Sequence, residues 1–594
     1  MSDDAADSRP WFDSARPSAE RLDLLLAEMT LEEKAGQLFH AMITVGPGGT
    51  LADAQPAFGL PSNEAFIADL NLTHFNLFGA QDTASDIARW QNALQERARA
   101  TRLGIPVTIS SDPRNHFSDN PGAAILSGPF SQWPEPLGLA AIRDAELVAR
   151  FADIARQEYT AVGIRVALHP QIDLATESRW ARQLQTFGED AQLTAELGAA
   201  YIRGFQGDAL GTTSVATMTK HFPGGGPQQG GEDPHFEYGR EQVYPGGQFD
   251  LHLIPFEAAF AAGTSQIMPY YGMPVGTEHD EVGFAFNKSV ITGLLRERYG
   301  FDGVVCADWG VLNDHPIMGH PYPARAWGLE HLSPHERLVA ALGAGVDQFG
   351  GELCPELVVS AVRDGLVSED RVDVSVRRLL REKFTLGLFD DPFVDVAAAD
   401  RIVGNADFRA AGHAAQRASV TILTNTVTDA AGPVLPLGTG LRLYVEGIAP
   451  EVAAAYGTVV DTPAEADAAV LRLHAPYELR GTPFEDHFHA GSLDFSADVL
   501  AHVGEIAAQV PTVVDVFLDR PAILGPLTEV AAAVVANWGV SSAALLDVLT
   551  GAAVAQGRLP FDVPRSMAAV EASRPDVPFD TEDPLFRFGH GLTL

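Results

Sequence analysis

Over its first 390 residues the chain alternates short apolar runs with longer amphipathic stretches, and this most constrains its fold. The runs include Ile105-Pro106-Val107-Thr108-Ile109, Gly163-Ile164-Arg165-Val166-Ala167-Leu168, Ser214-Val215-Ala216-Thr217-Met218, Gln266-Ile267-Met268 and Gly303-Val304-Val305-Cys306. Ala344-Gly345-Val346-Asp347 is read as closing the series. Runs this short and this apolar suit strands covered on both faces. Residues 144–160, 191–204, 249–261 and 289–299 between them carry apolar positions at helical spacing. Sustained strand–helix alternation predicts a parallel (β/α)8-like barrel. Residues 22–39 precede it with helical spacing, and Thr30-Leu31-Glu32-Glu33 supplies a capping-box pattern.

The helical run 372–384 leads into Gly387-Leu388-Phe389-Asp390-Asp391-Pro392, where turn residues cluster and the pattern changes. This places a first domain at 1–390, a linker at 391–415 and a second domain at 416–594. A second alternating series starts at Ser419-Val420-Thr421-Ile422-Leu423 and continues at 441–445, 468–473, 512–518 and 531–536. Its length suits one open, doubly wound α/β sheet rather than another barrel. The loop 473–495 follows the third of these runs and is rich in His, Pro, Gly and acids. Ligands of open α/β sheets bind beyond the carboxyl ends of the strands, so this loop is a functional candidate.

At 594 residues the chain exceeds one hydrophobic core. Its 40 basic and 78 acidic side chains give a net charge of −38, which repels phosphate backbones and anionic lipid. Nucleic acid and membrane are therefore not expected partners. The two cysteines, Cys306 and Cys354, form no disulfide framework, and no Cys/His cluster predicts a metal. Cys306, inside an apolar run, reads as a buried structural thiol. The polar, acidic start of the chain has no basic n-region and no apolar h-region, and no apolar segment is long enough to span a bilayer. A cytoplasmic location is the expectation.

Polar groups collect just beyond the barrel runs. Asp112 follows the first, and Arg179, Trp180 and Arg182 follow the second, with Glu189 and Asp190 further on. Lys220 and His221 precede the glycine-rich Phe222-Pro223-Gly224-Gly225-Gly226, Met268, Tyr270 and Tyr271 come next, and Asp308-Trp309 ends the series. Singly these are ordinary: Asp308 suits a helix cap, and an arginine beside acids is usually a surface pair of small energetic consequence. In a barrel all these strand ends meet on one face. Carboxylates and cations there bind hydroxyl groups, while aromatic rings cover the apolar face of a sugar.

Several tracts resemble glycoside hydrolase family 3. They are Met29-Thr30-Leu31-Glu32-Glu33-Lys34-Ala35-Gly36-Gln37, Ser178-Arg179-Trp180-Ala181-Arg182 with Phe187-Gly188-Glu189-Asp190, Lys220-His221-Phe222, and residues 300–309 around Asp308. The tract from Ser375 to Phe389 and the terminal Phe588-Gly589-His590-Gly591-Leu592 match as well, in family order. The resemblance implies a barrel followed by an αβα sandwich domain, and retaining hydrolysis of terminal β-D-glucosyl residues from the non-reducing end. It makes Asp308 the nucleophile, has Asp112, Arg182, Lys220 and His221 hold the sugar hydroxyls, and lines the pocket with Met268, Tyr271 and Trp309. Two tracts depart from the family. Ala181 replaces a glycine before Arg182, and Ser111-Asp112-Pro113-Arg114-Asn115-His116 replaces the common Asp-Ala-Val-His-Gly.

A retaining enzyme needs a second carboxyl about 5–5.5 Å from the first. In two-domain relatives it comes from a loop of the second domain, which His474-Ala475-Pro476-Tyr477-Glu478-Leu479-Arg480-Gly481 resembles. Glu478 is thus the implied acid/base, Glu485 and Asp486 are the fallbacks, and a surface pair with Arg480 is its plainest other role. Lys220 to Gly226 followed by Asp233-Pro234-His235 also resembles the family's N-acetylglucosaminidases, whose acid/base is an Asp-His dyad. That leaves β-xylosidase or β-N-acetylhexosaminidase, a transglycosylase and a non-catalytic sugar-binding protein as alternatives. The implied partner is a β-glucoside or oligosaccharide, with no cofactor; a homodimer is compatible with the reading.

Overall fold

The computed structural model describes residues 8–120, 122–428 and 432–593; the acidic segment 1–7 lies outside them. Eight strands close a barrel: β1 Phe39–Ile43, β2 His74–Leu77, β3 Thr108–Ser111, β4 Ile164–Ala167, β5 Ala216–Phe222, β6 Gln266–Pro269, β7 Val304–Ala307 and β8 Gln348–Gly350. Every neighbouring pair is parallel, and β1 closes onto β8 with Phe39 opposite Phe349. Alternation along β7 sorts its side chains. Val305 and Ala307 join the main apolar core, while Cys306 packs in a separate cluster with Val166, Met218 and Met268 from β4 to β6. Cys306 is fully buried, as expected, and burial pushes its thiol pKa up.

The two strands that sequence patterning passed over, β1 and β2, carry polar side chains into the barrel. His40 lies 2.7 Å through Nε2 from Ser110 Oγ and 3.2 Å through Nδ1 from Gln348 Oε1. Such a strand does not read as a continuous apolar run. The stretch 22–39 is two helices, Ser18–Glu28 and Leu31–Gln37, broken where Thr30 caps the second by accepting from Glu33 N. The closing strand begins at Gln348, beyond the expected 344–347. Ala344 ends helix Pro334–Ala344, Gly345 at φ 115° turns the chain, and Asp347 is buried against Arg296 at 2.6 Å. The aliphatic residues of that run belong to the helix end and its turn. Helix Glu369–Thr385 closes the amino end of the barrel, where buried Lys383 donates to the carbonyls of Thr73 and Pro106.

The expected linker, 391–415, is occupied by helices Val396–Ile402 and Ala406–Ser419, the latter running on to the second sheet. That sheet comprises β9 Thr421–Asn425, β10 Arg442–Glu446, β11 Thr458–Val459, β12 Ala468–His474, β13 Thr512–Phe517 and β14 Ala533–Asn537. The strand order is β9-β14-β13-β12-β10-β11, parallel except that β9 runs against β14. Helix Ala497–Ala507 packs on one face and Ser542–Leu549 on the other, each with its own apolar cluster. The first cluster also takes in Leu137 and Ala141 of the barrel domain, so the two domains share a core. Among the described residues no helix is long and apolar enough to cross a membrane, and no three His, Cys, Asp or Glu are grouped to hold a metal.

Candidate active site

β7 ends at Ala307 and delivers Asp308 to the carboxyl end of the barrel. No helix follows, so Asp308 caps nothing; a turn carries the chain away. The side chain is 11% exposed. Its Oδ1 accepts from Trp309 N at 2.8 Å and lies 2.9 Å from the Tyr271 hydroxyl, whose proton also reaches the Trp309 carbonyl at 2.7 Å. Oδ2 points to His221 Nε2, 3.8 Å away. Trp309 is half-buried, its ring beside His40 at 5.5 Å between centroids. The indole lies flat over Gly350 and Gly351: a Cβ on either would meet it at 2.4 and 2.6 Å. The wall role expected of Trp309 thus depends on two glycines at the end of β8.

Lys220 and His221 lie within β5 near its carboxyl end. Lys220 Nζ is 3.5 Å from Oδ1 of Asp112, whose Oδ2 accepts from Asn76 Nδ2 at 3.0 Å. Burial pushes the Lys220 ammonium below its ordinary range, against the pull of Asp112. His221 Nδ1 faces Asp173 Oδ2 at 2.8 Å, and burial holds the imidazole well below its ordinary pKa, helped by the Arg182 cation nearby. The ring is therefore neutral, its Nδ1 proton goes to Asp173, and Nε2 is left as an acceptor toward Asp308. Arg182, 1% exposed, donates to Gln171 Oε1 at 3.0 Å and Gln185 Oε1 at 3.3 Å. Met268 is buried in the cluster beneath, against which Trp309 also packs. Asp112, Arg182, Lys220, His221, Tyr271, Trp309 and Asp308 therefore share one face.

The pair Asp233 and His235 belongs to the same face. Their side chains are buried and 2.6 Å apart, Oδ2 of Asp233 accepts from Trp180 Nε1 and the Tyr270 hydroxyl, both at 3.2 Å, and the His235 ring lies 4.7 Å from Tyr271. Burial lowers the pKa of His235, outweighing the carboxylate beside it. Burial would raise the Asp233 carboxyl, but His235 and the Arg182 cation together hold it below its ordinary range, so an ionised Asp233 faces the ring.

The loop after β12 reaches this face through its aromatic residues. Phe488 lies 4.5 Å from the His235 ring, and Phe484 packs on Phe236 at 5.8 Å. Arg480 pairs with Glu232 at 2.5 Å, so the surface pair with Glu478 does not form. Glu478 is exposed; its N–H donates to Ala490 O at 3.0 Å and its Oε1 accepts from Ser492 N at 3.3 Å. Glu485 accepts from Thr482 Oγ1 at 2.6 Å and from the Tyr238 hydroxyl at 3.3 Å. Asp486 accepts from Arg480 N at 3.0 Å. Both fallbacks therefore brace the loop, while Glu478 is held only through a neighbouring N–H.

Sequence patterning missed Asp173, Gln171 and Asn76 in this site. The first two sit in the turn beyond β4, where nothing periodic marks them, although Asp173 lies five residues past the end of an apolar run as the other site groups do. Glu189 and Asp190 are not a surface pair with arginine. Asp190 caps helix Ala191–Gln206, and buried Glu189 accepts from Asp562 N and Phe579 N of the second domain.

The glycosyl hydrolase family 3 N-terminal domain matches residues 30–382, and the family's C-terminal domain matches residues 397–594. The chain is 54% identical to β-glucosidase C of Emericella nidulans over 96% of its length and 92% of the relative's. It is 42% identical to the periplasmic β-glucosidase/β-xylosidase of Dickeya chrysanthemi over 98% of its length and 91% of that protein's. Among solved structures, a β-glucosidase from Erythrobacter marinus superposes with a TM-score of 0.80 at 22% identity, covering 99% of this chain and 84% of that one. The β-glucosidase of Listeria innocua in complex with isofagomine gives 0.75 at 22%, covering 97% and 83%. A barrel and a sandwich that each match their half of one family, in order and over nearly the full length, identify the chain as a member of glycosyl hydrolase family 3 and hence as a glycoside hydrolase.

Proposed function

We propose that the protein is a retaining, exo-acting β-glucosidase that removes terminal β-D-glucosyl residues through a covalent glycosyl-aspartate intermediate. One observation carries the reading. Asp308 has one oxygen occupied by Trp309 N and Tyr271, and its other oxygen is turned into a ring of hydroxyl-binding groups. In the first step Oδ2 attacks the anomeric carbon, the bond to the leaving oxygen breaks, and Glu478 gives that oxygen its proton. In the second, Glu478 takes a proton from water, which displaces Asp308 and releases glucose. Asp112, Arg182, Lys220 and the Nε2 acceptor of His221 hold the hydroxyls throughout. The names of the relatives at 54% and 52% identity support glucose as the sugar.

A second reading, with Asp233 and His235 as the acid/base, is favoured by their direct contact and by the His235 ring against Tyr271. It is the weaker one: Asp233 is sealed by Trp180 and Tyr270 and Phe488 packs on the His235 ring, so neither group is open to a leaving oxygen. A panel of nitrophenyl β-glycosides of glucose, xylose and N-acetylglucosamine tests the sugar, and a preference for either of the last two overturns the glucosidase reading. Trapping with a 2-fluoroglucoside tests the intermediate. The label is expected on the peptide containing Asp308, and a label elsewhere sinks that assignment.

A further inference from the structure

Arg520 follows the carboxyl end of β13, beside the loop that leaves β12. The residue is 1% exposed. Nη1 donates to the carbonyls of Arg179 at 2.9 Å and Gly491 at 3.2 Å; Nη2 donates to those of Pro476 at 2.7 Å, Ala490 at 2.9 Å and Ser492 at 3.2 Å. The acceptors are five backbone carbonyls drawn from three segments. Pro476 lies two residues before Glu478. Residues 490–492 are the segment on which Glu478 rests, through the bond from Glu478 N to Ala490 O and from Ser492 N to Glu478 Oε1. Arg179 belongs to the barrel loop that also carries Trp180 and Arg182.

Burying a cation is costly unless its donors are satisfied, and packing alone would be better served by an apolar side chain. Only a planar guanidinium offers a rigid fork able to reach all these carbonyls together; an ammonium has three donors and no plane. The conformation around it is equally specific. Gly491 has φ 77°, and a Cβ there would meet Oε2 of Glu478 at 2.2 Å. The loop has further ties, Arg480 to Glu232, Tyr238 to Glu485, Tyr322 to Thr482, His489 to Asp519 and Asn120 to the His487 carbonyl, but each joins it at a single point.

We propose that Arg520 is the positioning residue for Glu478, clasping both sides of its loop and fixing them to the barrel loop that presents Arg182. The inference rests on Glu478 being the acid/base. It adds that a residue which touches no substrate sets that carboxyl's place relative to Asp308.

The test compares Arg520→Lys, Arg520→Met and Glu478→Gln on 2,4-dinitrophenyl β-glucoside, which needs no acid, and on cellobiose, which does. Displacing a catalytic group by about 1 Å costs on the order of 10²-fold. Both Arg520 variants are expected to lose about that much kcat/KM on cellobiose and less than about threefold on the activated glucoside. Hydrogen exchange of the amides between residues 478 and 492 is expected to quicken in the same variants. Equal losses on the two substrates, or no loss on cellobiose, overturn the positioning role while Glu478→Gln still shows the split. If Glu478→Gln itself shows no split, Glu478 is not the acid and both readings fall. The activated glucoside and the 2-fluoroglucoside label report that a variant is folded, and Arg520→Lys serves if Arg520→Met is not.

Discussion

Oδ2 of Asp173 accepts the Nδ1 proton of His221 at 2.8 Å and so leaves Nε2 of the same ring 3.8 Å from Oδ2 of Asp308. Neither of those two facing atoms has a proton to give the other, and the distance is too long for a hydrogen bond. What the gap lacks is a donor, and a sugar hydroxyl is one. Asp173 is committed to this task from both sides, since its Oδ1 also accepts from His221 N at 3.2 Å and from Gly225 N. Burial lifts its carboxyl to about 6, so it is mostly ionised at neutral pH.

Asp173→Asn would therefore change the proton's place more than the packing. An amide can turn its NH2 toward Nδ1, which moves the imidazole proton to Nε2 and removes the acceptor from the sugar site. Loss of a hydrogen bond between neutral groups is worth about 0.5–1.5 kcal/mol, or about 2- to 10-fold in kcat/KM. Deoxy-glucosides provide the check. For the substrate lacking the hydroxyl that His221 receives, variant and parent are expected to converge, and an equal loss on all deoxy substrates would assign Asp173 to packing alone.

Tyr271→Phe should have a comparable cost. The phenol's single proton lies between Oδ1 of Asp308 and the Trp309 carbonyl, and Trp309 N already donates to that same oxygen. An ordinary shared hydrogen bond contributes about 1 kcal/mol, so kcat is expected to fall by roughly tenfold or less. The step affected is breakdown of the intermediate as well as its formation. A 2-fluoroglucosyl adduct whose reactivation rate is unchanged in Tyr271→Phe would show that the tyrosine does not act on Asp308.

Why these groups could be found from sequence, and others not, follows from where the chain is periodic. β4 to β7 are covered on both faces and read as short, largely apolar runs, so the polar residues at or past their carboxyl ends stood out: Lys220 within β5, Tyr271 after β6 and Asp308 after β7. β1 and β2 turn His40 and Asn76 into the barrel and lost that signature. Gln171 and Asp173 sit in a turn, and Arg520 follows a strand whose loop gave no cue. Their roles depend on partners from 11 to 341 residues away, as with Gln171 and Arg182 or Arg520 and Arg179. Composition cannot encode such pairings; only the closed barrel and the shared interdomain core bring them together.

The two acid/base readings separate by chemical rescue. Glu478→Gln is expected to lose about 10²-fold or more on cellobiose and far less on the activated glucoside, with azide restoring turnover as β-glucosyl azide. Asp233→Asn should show no azide rescue, because Asp233 is sealed between Trp180, Tyr270 and His235. Identification of the azide adduct by NMR decides between them: β-glucosyl azide from the Asp233 variant alone would move the acid/base to the dyad.

The acid and alkaline limbs of the stability profile have different owners. Burial raises Glu189 to about 8, with Asp562 and Asp190 adding to it, and raises Glu135 to about 7. A carboxyl whose folded pKa lies above its unfolded value keeps its proton when folded and has lost it when unfolded. Stability is then lost as pH rises from the unfolded pKa through the folded one. Buried His40, His116 and His252 are lowered to about 4, so they are neutral when folded while the unfolded chain binds protons below about 6.5. They cost stability as pH falls. Between about 6.5 and 8 Glu189 and Glu135 pull the melting temperature down as pH rises, while buried Lys220 and Lys383, whose pKa values burial lowers, act in the opposite sense. Glu189→Gln should weaken the downward pull and leave the acid limb unchanged, at the expense of one of the two hydrogen bonds from Asp562 N and Phe579 N. Melting curves at constant ionic strength check it. An alkaline limb with the same slope in Glu189→Gln would mean that the interdomain carboxyl is ionised in the folded protein and carries none of that pull.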